Sequence, residues 1–161
     1  MSNSTVKPAS GKLGVLVVGL GAVTSTFMTG VLMARKGLSK PVGAMTQYDK
    51  IRVGRGADKK YLKYSEIVPI ADLNDIVFGA WDVYPANAYQ SAIYAEVLQE
   101  KDINPVKDEL EQIVPMKAAF DKDYAKRLDG SNVMENKSRW EMTEQLREDI
   151  RNFKKEKGVE R

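Results

Sequence analysis

Cysteine and histidine are both missing from the 161 residues. Without cysteine there is no disulfide scaffold, no thiolate metal site and no thiol nucleophile. Without histidine there are no imidazole ligands, no histidine-based triad and no usual general base near neutral pH. Chemistry is left to carboxylates, lysines, hydroxyls, backbone amides or a borrowed cofactor. Charge of one sign is scarce too: 25 Lys and Arg face 22 Asp and Glu, a net of +3, which argues against nucleic acid as a partner. There is no internal repeat. What remains is 43% hydrophobic and 29% charged, enough apolar material for a core, at a length that fits one domain or part of a larger one.

A long uncharged run is present but interrupted. Leu13 to Ala34 spans 22 residues without a charge, between Lys12 and Arg35–Lys36, a length that could cross a bilayer. Against a membrane span stand Gly14, Gly19, Gly21 and Gly30, with Thr24, Ser25, Thr26 and Thr29. Bare backbone at Gly19 and Gly21 would be costly in lipid. The polar stretch before the run and the lack of a cleavage pattern after it exclude a signal peptide. The better reading is a buried strand over Leu13–Val18, a turn at Gly19-Leu-Gly21, and a helix from Thr24 to Ala34 stopped by Arg35, Lys36 and Gly37.

A strand entering Gly-x-Gly and then a helix is the front half of a dinucleotide-binding fingerprint. The first Gly allows the tight turn, and the second lets a diphosphate approach the backbone. The helix start then offers unpaired N–H groups and partial positive charge to that anion. Thr24 replaces the third fingerprint glycine, and Thr24, Ser25 and Thr26 offer hydroxyls that can cap the helix or donate to phosphate. The plain alternative is a glycine turn between any strand and helix. The second strand is expected from Pro41 or Val42 to Gln47, yet no carboxylate for a ribose precedes Asp49. Nine basic residues against two acidic ones lie between Arg35 and Lys63; they suit a 2′-phosphate or another anion, or are a solvated surface.

Elsewhere, residues 1–11 read as a disordered tail and 12–161 as one domain. Tyr48 to Ile67 is irregular, with short strand pieces around Ile51–Val53. Asp75 to Trp81 is a buried strand with Trp81 in the core. At its carboxyl end Asp82 either accepts from ribose hydroxyls or orients the turn before Pro85. Helices are expected over Ala86–Leu98, from Pro105 through Ile113, and over 121–128, with a turn at Gly130-Ser-Asn132. Ser138-x-x-Glu141 is a capping box. It starts a helix with Met142, Leu146, Ile150 and Phe153 on one stripe, and Gly158 stops it. Strands alternating with helices give an α/β class with a Rossmann-type parallel sheet, incomplete as a domain, with a further strand expected to begin at Val159–Arg161.

Val17-Val-Gly-Leu-Gly-Ala-Val-Thr-Ser-Thr26 together with Asn74-Asp-Ile-Val-Phe-Gly-Ala-Trp-Asp82 resembles the amino-terminal region of the myo-inositol-1-phosphate synthase family, also called inositol-3-phosphate synthase. Ile113-Val-Pro115, Leu128-Asp-Gly-Ser-Asn132 and Ile150-Arg-Asn-Phe-Lys154 extend the resemblance over nearly the whole chain from Lys12. The resemblance implies an NAD-dependent isomerase that turns glucose 6-phosphate into inositol 3-phosphate by internal oxidation, aldol closure and reduction. It implies that Gly19, Leu20, Gly21, Ala22, Val23 and Thr24 lie along the diphosphate, and that Asp82 reaches a ribose. Ala118 and Ala119 would contact the cofactor by backbone, with Asp129 and Asn132 in a second loop. No catalytic residue and no metal site is expected here, since the family's catalytic lysines lie beyond Arg161. The resemblance further implies a cytoplasmic homo-oligomer, a tetramer in the family, with no membrane partner. Two other readings stay open: a non-catalytic nucleotide-binding or regulatory module, and part of an ordinary NAD(P)-dependent dehydrogenase.

Overall fold

The computed structural model describes residues 10–161; the expected tail over residues 1–11 therefore falls almost wholly outside the described residues. The apolar, β-branched run forms β1 (Leu13–Val18), and α1 (Ala22–Arg35) follows after a three-residue turn. The helix starts two residues earlier than the pattern suggests, with Gly21 itself as the cap residue. No helix among the described residues is long and apolar enough to cross a membrane.

After α1 the chain makes a short helix α2 (Met45–Tyr48) and a hairpin of β2 (Lys50–Val53) and β3 (Lys60–Lys63). It then enters β4 (Ile76–Asp82), followed by α3 (Ala88–Ala95), α4 (Glu100–Ile103), α5 (Lys107–Glu111), β5 (Met116–Lys117) and α6 (Arg139–Lys157). The main sheet has the order β1-β4-β5 and is parallel, with Val18 opposite Trp81 and Asp82 opposite Lys117. The expected strand over residues 41–47 is absent. Pro41 lacks the N–H a ladder needs, residues 42–43 turn, and Met45 to Tyr48 is helical. Its place beside β1 is taken by the last residues. Val159 bridges Lys12, and the Gly14 N–H donates to the Arg161 carbonyl at 2.8 Å.

The apolar alternation of the strands sorts the two faces of the sheet. Phe78 and Ala80, with Val15 and Val17, pack on Met28, Val31 and Leu32 of α1, on Ala88 and Ala92 of α3, and on Ile103, Val106 and Leu110. Burying this cluster supplies the main stabilisation, at about 25 cal/mol per Å² of apolar surface. Arg35 fastens α1 to the start of β4. Its guanidinium donates to the Leu73 carbonyl at 2.6 Å and to the Ile76 carbonyl, and lies 5.7 Å from the Phe78 ring centre. Burial pulls this guanidinium below the usual arginine value, against the pull of Asp72, Asp75 and Glu109.

The opposite face carries α6. Its ends are as read from the sequence: a Ser138–Glu141 capping box, and Gly158 at φ 64° as the left-handed stop. Phe153 is buried between two glycines of the sheet. A Cβ built on Gly14 would lie 2.9 Å from the Phe153 ring, and one on Gly79 would lie 2.8 Å from it. The absence of side chains at these two positions is what lets the helix sit down. Ile150, expected on the buried stripe, is 47% exposed; α6 turns Asp149 and Phe153 toward the sheet instead.

The middle helices are shorter than expected. Asn87 caps α3 and Glu96 ends it at φ 53°. Residues 104–106 tighten to a 3₁₀ turn at Pro105, splitting the following helix. The expected helix over 121–128 is a run of turns. The Asp121 carboxylate accepts from the Asp123 and Tyr124 N–H groups, and the Asp121 carbonyl from Ala125, as at a helix start, but the chain does not continue as a helix.

Gly79→Ala is expected to cost about 1–3 kcal/mol by overpacking the Phe153 slot, read as a lower urea midpoint. The capping box adds a pH dependence. The Ser138 hydroxyl, then its N–H, hold Glu141 below the ordinary glutamate range. Because the folded value lies below the unfolded one, this contribution is present above the ordinary glutamate pKa and is lost as pH falls through the lowered value. Glu141→Gln should flatten that acid limb of the α6 helical signal.

Candidate functional site

The glycine turn sits at the carboxyl end of the parallel strands, where ligands of open α/β sheets gather. Gly19 has φ 92°, a conformation for glycine, and its N–H donates to the Trp81 carbonyl at 2.8 Å. Leu20 turns its side chain into the core, where it is 2% exposed. Its backbone N–H points the other way and donates to Oδ2 of Asp82. The residue between the two glycines is thus an anchor for the turn, with the side chain held by packing and the amide by a carboxylate.

Asp82 uses its other oxygen as well. Oδ1 accepts from the Tyr84 N–H at 2.8 Å. The orienting role considered from the sequence is therefore what the carboxylate performs within the chain. Each oxygen retains lone-pair capacity, and Asp82 is half-buried, so it also remains open to a hydroxyl from outside. The sequence reading missed Tyr84; an Asp two residues before it and a Pro just after are the local signal for this turn.

The hydroxyls after the turn face inward. Thr24 Oγ1 donates to the Gly19 carbonyl at 2.9 Å and Ser25 Oγ to the Ala22 carbonyl at 3.2 Å. They brace the turn, and their protons are not directed at a phosphate. No side chain caps the start of α1, and no acidic residue lies in its first turn. The amides of Ala22, Val23 and Thr24 therefore keep the orphan donors of a helix start, with the partial positive charge that goes with them. Above them the space is open: a Cβ built on Gly19 or Gly21 would meet no heavy atom within 4 Å. Val18 and Val23 flank this opening and are 89% and 86% exposed. A diphosphate fits such a cradle of bare backbone.

The second group of expected residues divides. Asn132 lies against the strand ends: its side-chain amide donates to the Asp82 carbonyl at 2.9 Å and to the Met116 carbonyl at 3.1 Å. Its N–H donates to the Val83 carbonyl at 2.8 Å. Ala118 is buried, its N–H donating to the Asn132 carbonyl and its carbonyl accepting from Met134, both at 3.0 Å. The backbone contacts implied for Ala118 are thus taken by its own chain, and Ala119 is the exposed one. Gly130 packs on Val83 so closely that a Cβ there would overlap the Val83 carbonyl. Asp129 faces solvent and pairs with Lys122 at 3.3 Å. The structure brings Asn132 to Asp82 and leaves Asp129 on the rim.

Trp81 adds an anchor that the sequence did not reveal. Its indole N–H donates to Asp149 of α6 at 2.9 Å, and Gln145 holds the same carboxylate at 3.0 Å. Asp82→Asn places an amide where two backbone donors need acceptors. It is expected to speed hydrogen exchange at Leu20 and Tyr84 and to cost about 1–3 kcal/mol in unfolding.

The sequence model of the family described as myo-inositol-1-phosphate synthase, an NAD-binding domain, matches residues 13–161. Inositol-3-phosphate synthase 1 of Bacteroides thetaiotaomicron is 56% identical over 157 residues, which is 97% of this chain and 36% of that protein. Inositol-3-phosphate synthase 1 of Oryza sativa subsp. japonica is 32% identical over 93% of this chain and 32% of its own length. The crystal structure of inositol-3-phosphate synthase from Caenorhabditis elegans superposes with a TM-score of 0.80 at 26% identity, over 96% of this chain and 33% of that one. The chain spans about a third of the length of the relatives it matches. With a parallel sheet, a bare glycine turn and a match running from the first strand to the last residue, the chain belongs to the myo-inositol-1-phosphate synthase family.

Proposed function

We propose that residues 12–161 form one dinucleotide-binding domain that holds NAD for the conversion of glucose 6-phosphate to inositol 3-phosphate. The observation that carries this reading is the open cradle over Gly19 and Gly21, at a helix start that no side chain caps. Members bearing the inositol-3-phosphate synthase name match the chain across almost its whole length. When bound, NAD supplies reversible hydride transfer, so that a sugar can be oxidised, closed and reduced with no net redox change.

The work of this chain is binding and orientation. The amides of Ala22, Val23 and Thr24 face the diphosphate, and Gly21 lets it come close. Asp82 holds the turn in place through Leu20 and offers its remaining lone pairs to a ribose hydroxyl. Asn132 fixes the neighbouring rim by tying the ends of β4 and β5 together. Ala119 and Asp129, both exposed, lie at the edge that the cofactor would cover. No side chain among these performs acid–base chemistry on a sugar, so the chain by itself is proposed to hold the cofactor without completing the reaction. The absence of cysteine is in keeping with the reducing cytoplasm.

Gly21→Val separates binding from folding. Gly21 has φ −87° and open space where a side chain would go, so the fold should tolerate valine. Titration calorimetry with NAD should show affinity falling by about tenfold or more as the diphosphate is pushed off the amides, with only the modest drop in melting temperature that a poorer helix cap brings. Unchanged affinity in the folded variant would place the cofactor elsewhere.

A further inference from the structure

The glycine turn and α6 meet at Trp81. On the side of the turn, the Trp81 carbonyl accepts from the Gly19 N–H at 2.8 Å, and the next residue, Asp82, accepts from the Leu20 N–H. On the side of α6, the buried indole donates to Asp149 at 2.9 Å. Both bonds that fix the turn therefore start from the same two residues at the carboxyl end of β4. That end has little support from its neighbours in the sheet. β5 is two residues long and meets β4 only at Trp81 and Asp82. On the other flank Val18, opposite Trp81 at the end of β1, is exposed.

The contact from α6 is of two kinds. Gln145, Asp149 and Phe153 stand four residues apart and form one row along the helix. Gly79 and Trp81 alternate onto one face of β4, so Phe153 against Gly79 and Asp149 against Trp81 are successive steps of one seam. Phe153 holds the helix by apolar burial, which has no preferred direction. A hydrogen bond has both a length and a line, and an indole has a single N–H with which to make it. Gln145 holds the half-buried carboxylate from within α6 at 3.0 Å. The polar pair thus sets the angle of the Trp81 ring, and with it the end of the strand from which Gly19 and Leu20 are held. It also sits on the side of the seam nearer the turn, one helical turn beyond the apolar anchor.

We propose that Asp149 is a positioning residue for the cofactor. Through the Trp81 indole it holds the end of β4 so that Gly19 and Leu20 stay bonded and the amides of Ala22, Val23 and Thr24 stay aimed at the diphosphate. It acts through Trp81 and not by touching the cofactor, and the inference rests on the reading of the glycine turn as the NAD site.

Calorimetry with NAD and hydrogen exchange of the NAD-free chain test it together. Asp149→Leu removes the acceptor and should lower NAD affinity roughly three- to tenfold. In the same variant the Gly19 and Leu20 amides should exchange faster relative to the mid-strand amide of Phe78. Asp149→Asn keeps an oxygen for the indole and should restore both readouts to within about twofold. Trp81→Phe deletes the donor from the other end and should reproduce the leucine effect, which also serves if leucine unfolds α6; the double variant should be no worse than either single one. Val106→Ala, in the core on the opposite face of the sheet, lowers stability with the Trp81–Asp149 bond intact and should leave affinity and relative exchange as they were. Turn amides that ignore both Asp149→Leu and Trp81→Phe overturn the proposal. So does a loosened turn with unchanged NAD affinity, and so does an equal loss of affinity in Val106→Ala. An unaltered chain that binds no NAD sinks the reading of the site and this inference with it; unaltered binding that is indifferent to Asp149→Leu sinks this inference alone.

Discussion

The hydrogen bond from the Leu20 amide to the Asp82 carboxylate decides the shape of the site. Strand-to-helix turns rich in glycine are mobile by nature, because glycine has the largest choice of backbone conformation. Here the residue between the glycines is pinned on both sides, by burial of its side chain and by a charged acceptor on the neighbouring strand. The carboxylate is itself fixed by the Tyr84 amide, and the strand behind it by the Trp81–Asp149 bond. Order runs from α6, through β4, to the bare amides at the start of α1. A turn held in this way loses little freedom when an anion settles on it.

Much of this was legible in the residues, for reasons that differ by element. β1, α1 and β4 are local patterns: a β-branched run, a glycine turn, a basic helix end, a second apolar run. The α6 boundaries were legible because Ser138, Glu141 and Gly158 act through their own backbone neighbours. What failed was non-local. Nothing in residues 41–47 shows that β1 would take its outer partner from Val159–Arg161. The β5 strand is two residues long, too short for any periodicity to appear.

Among the site residues, the turn and Asp82 meet at the carboxyl ends of the strands, joined through the Leu20 amide. Thr24 and Ser25, read as able to cap the helix or to donate to phosphate, bond to the Gly19 and Ala22 carbonyls. Ala118 and Asn132 could be named from resemblance, but their bonding could not, since it depends on two loops meeting across the strand ends. The distinction is physical: a short side chain near a turn finds the closest backbone group first.

The pairing of Val159–Arg161 with Lys12–Gly14, like the Phe153 ring between Gly14 and Gly79, joins segments far apart in sequence. As the protein emerges from a ribosome, β1 is made well before α6 and residues 159–161, and its outer edge stays unoccupied until they are made. Contacts of such long range slow folding. Until those residues have been made, the nascent polypeptide carries an open strand edge and an empty glycine slot, and that interval is when chaperones would meet it.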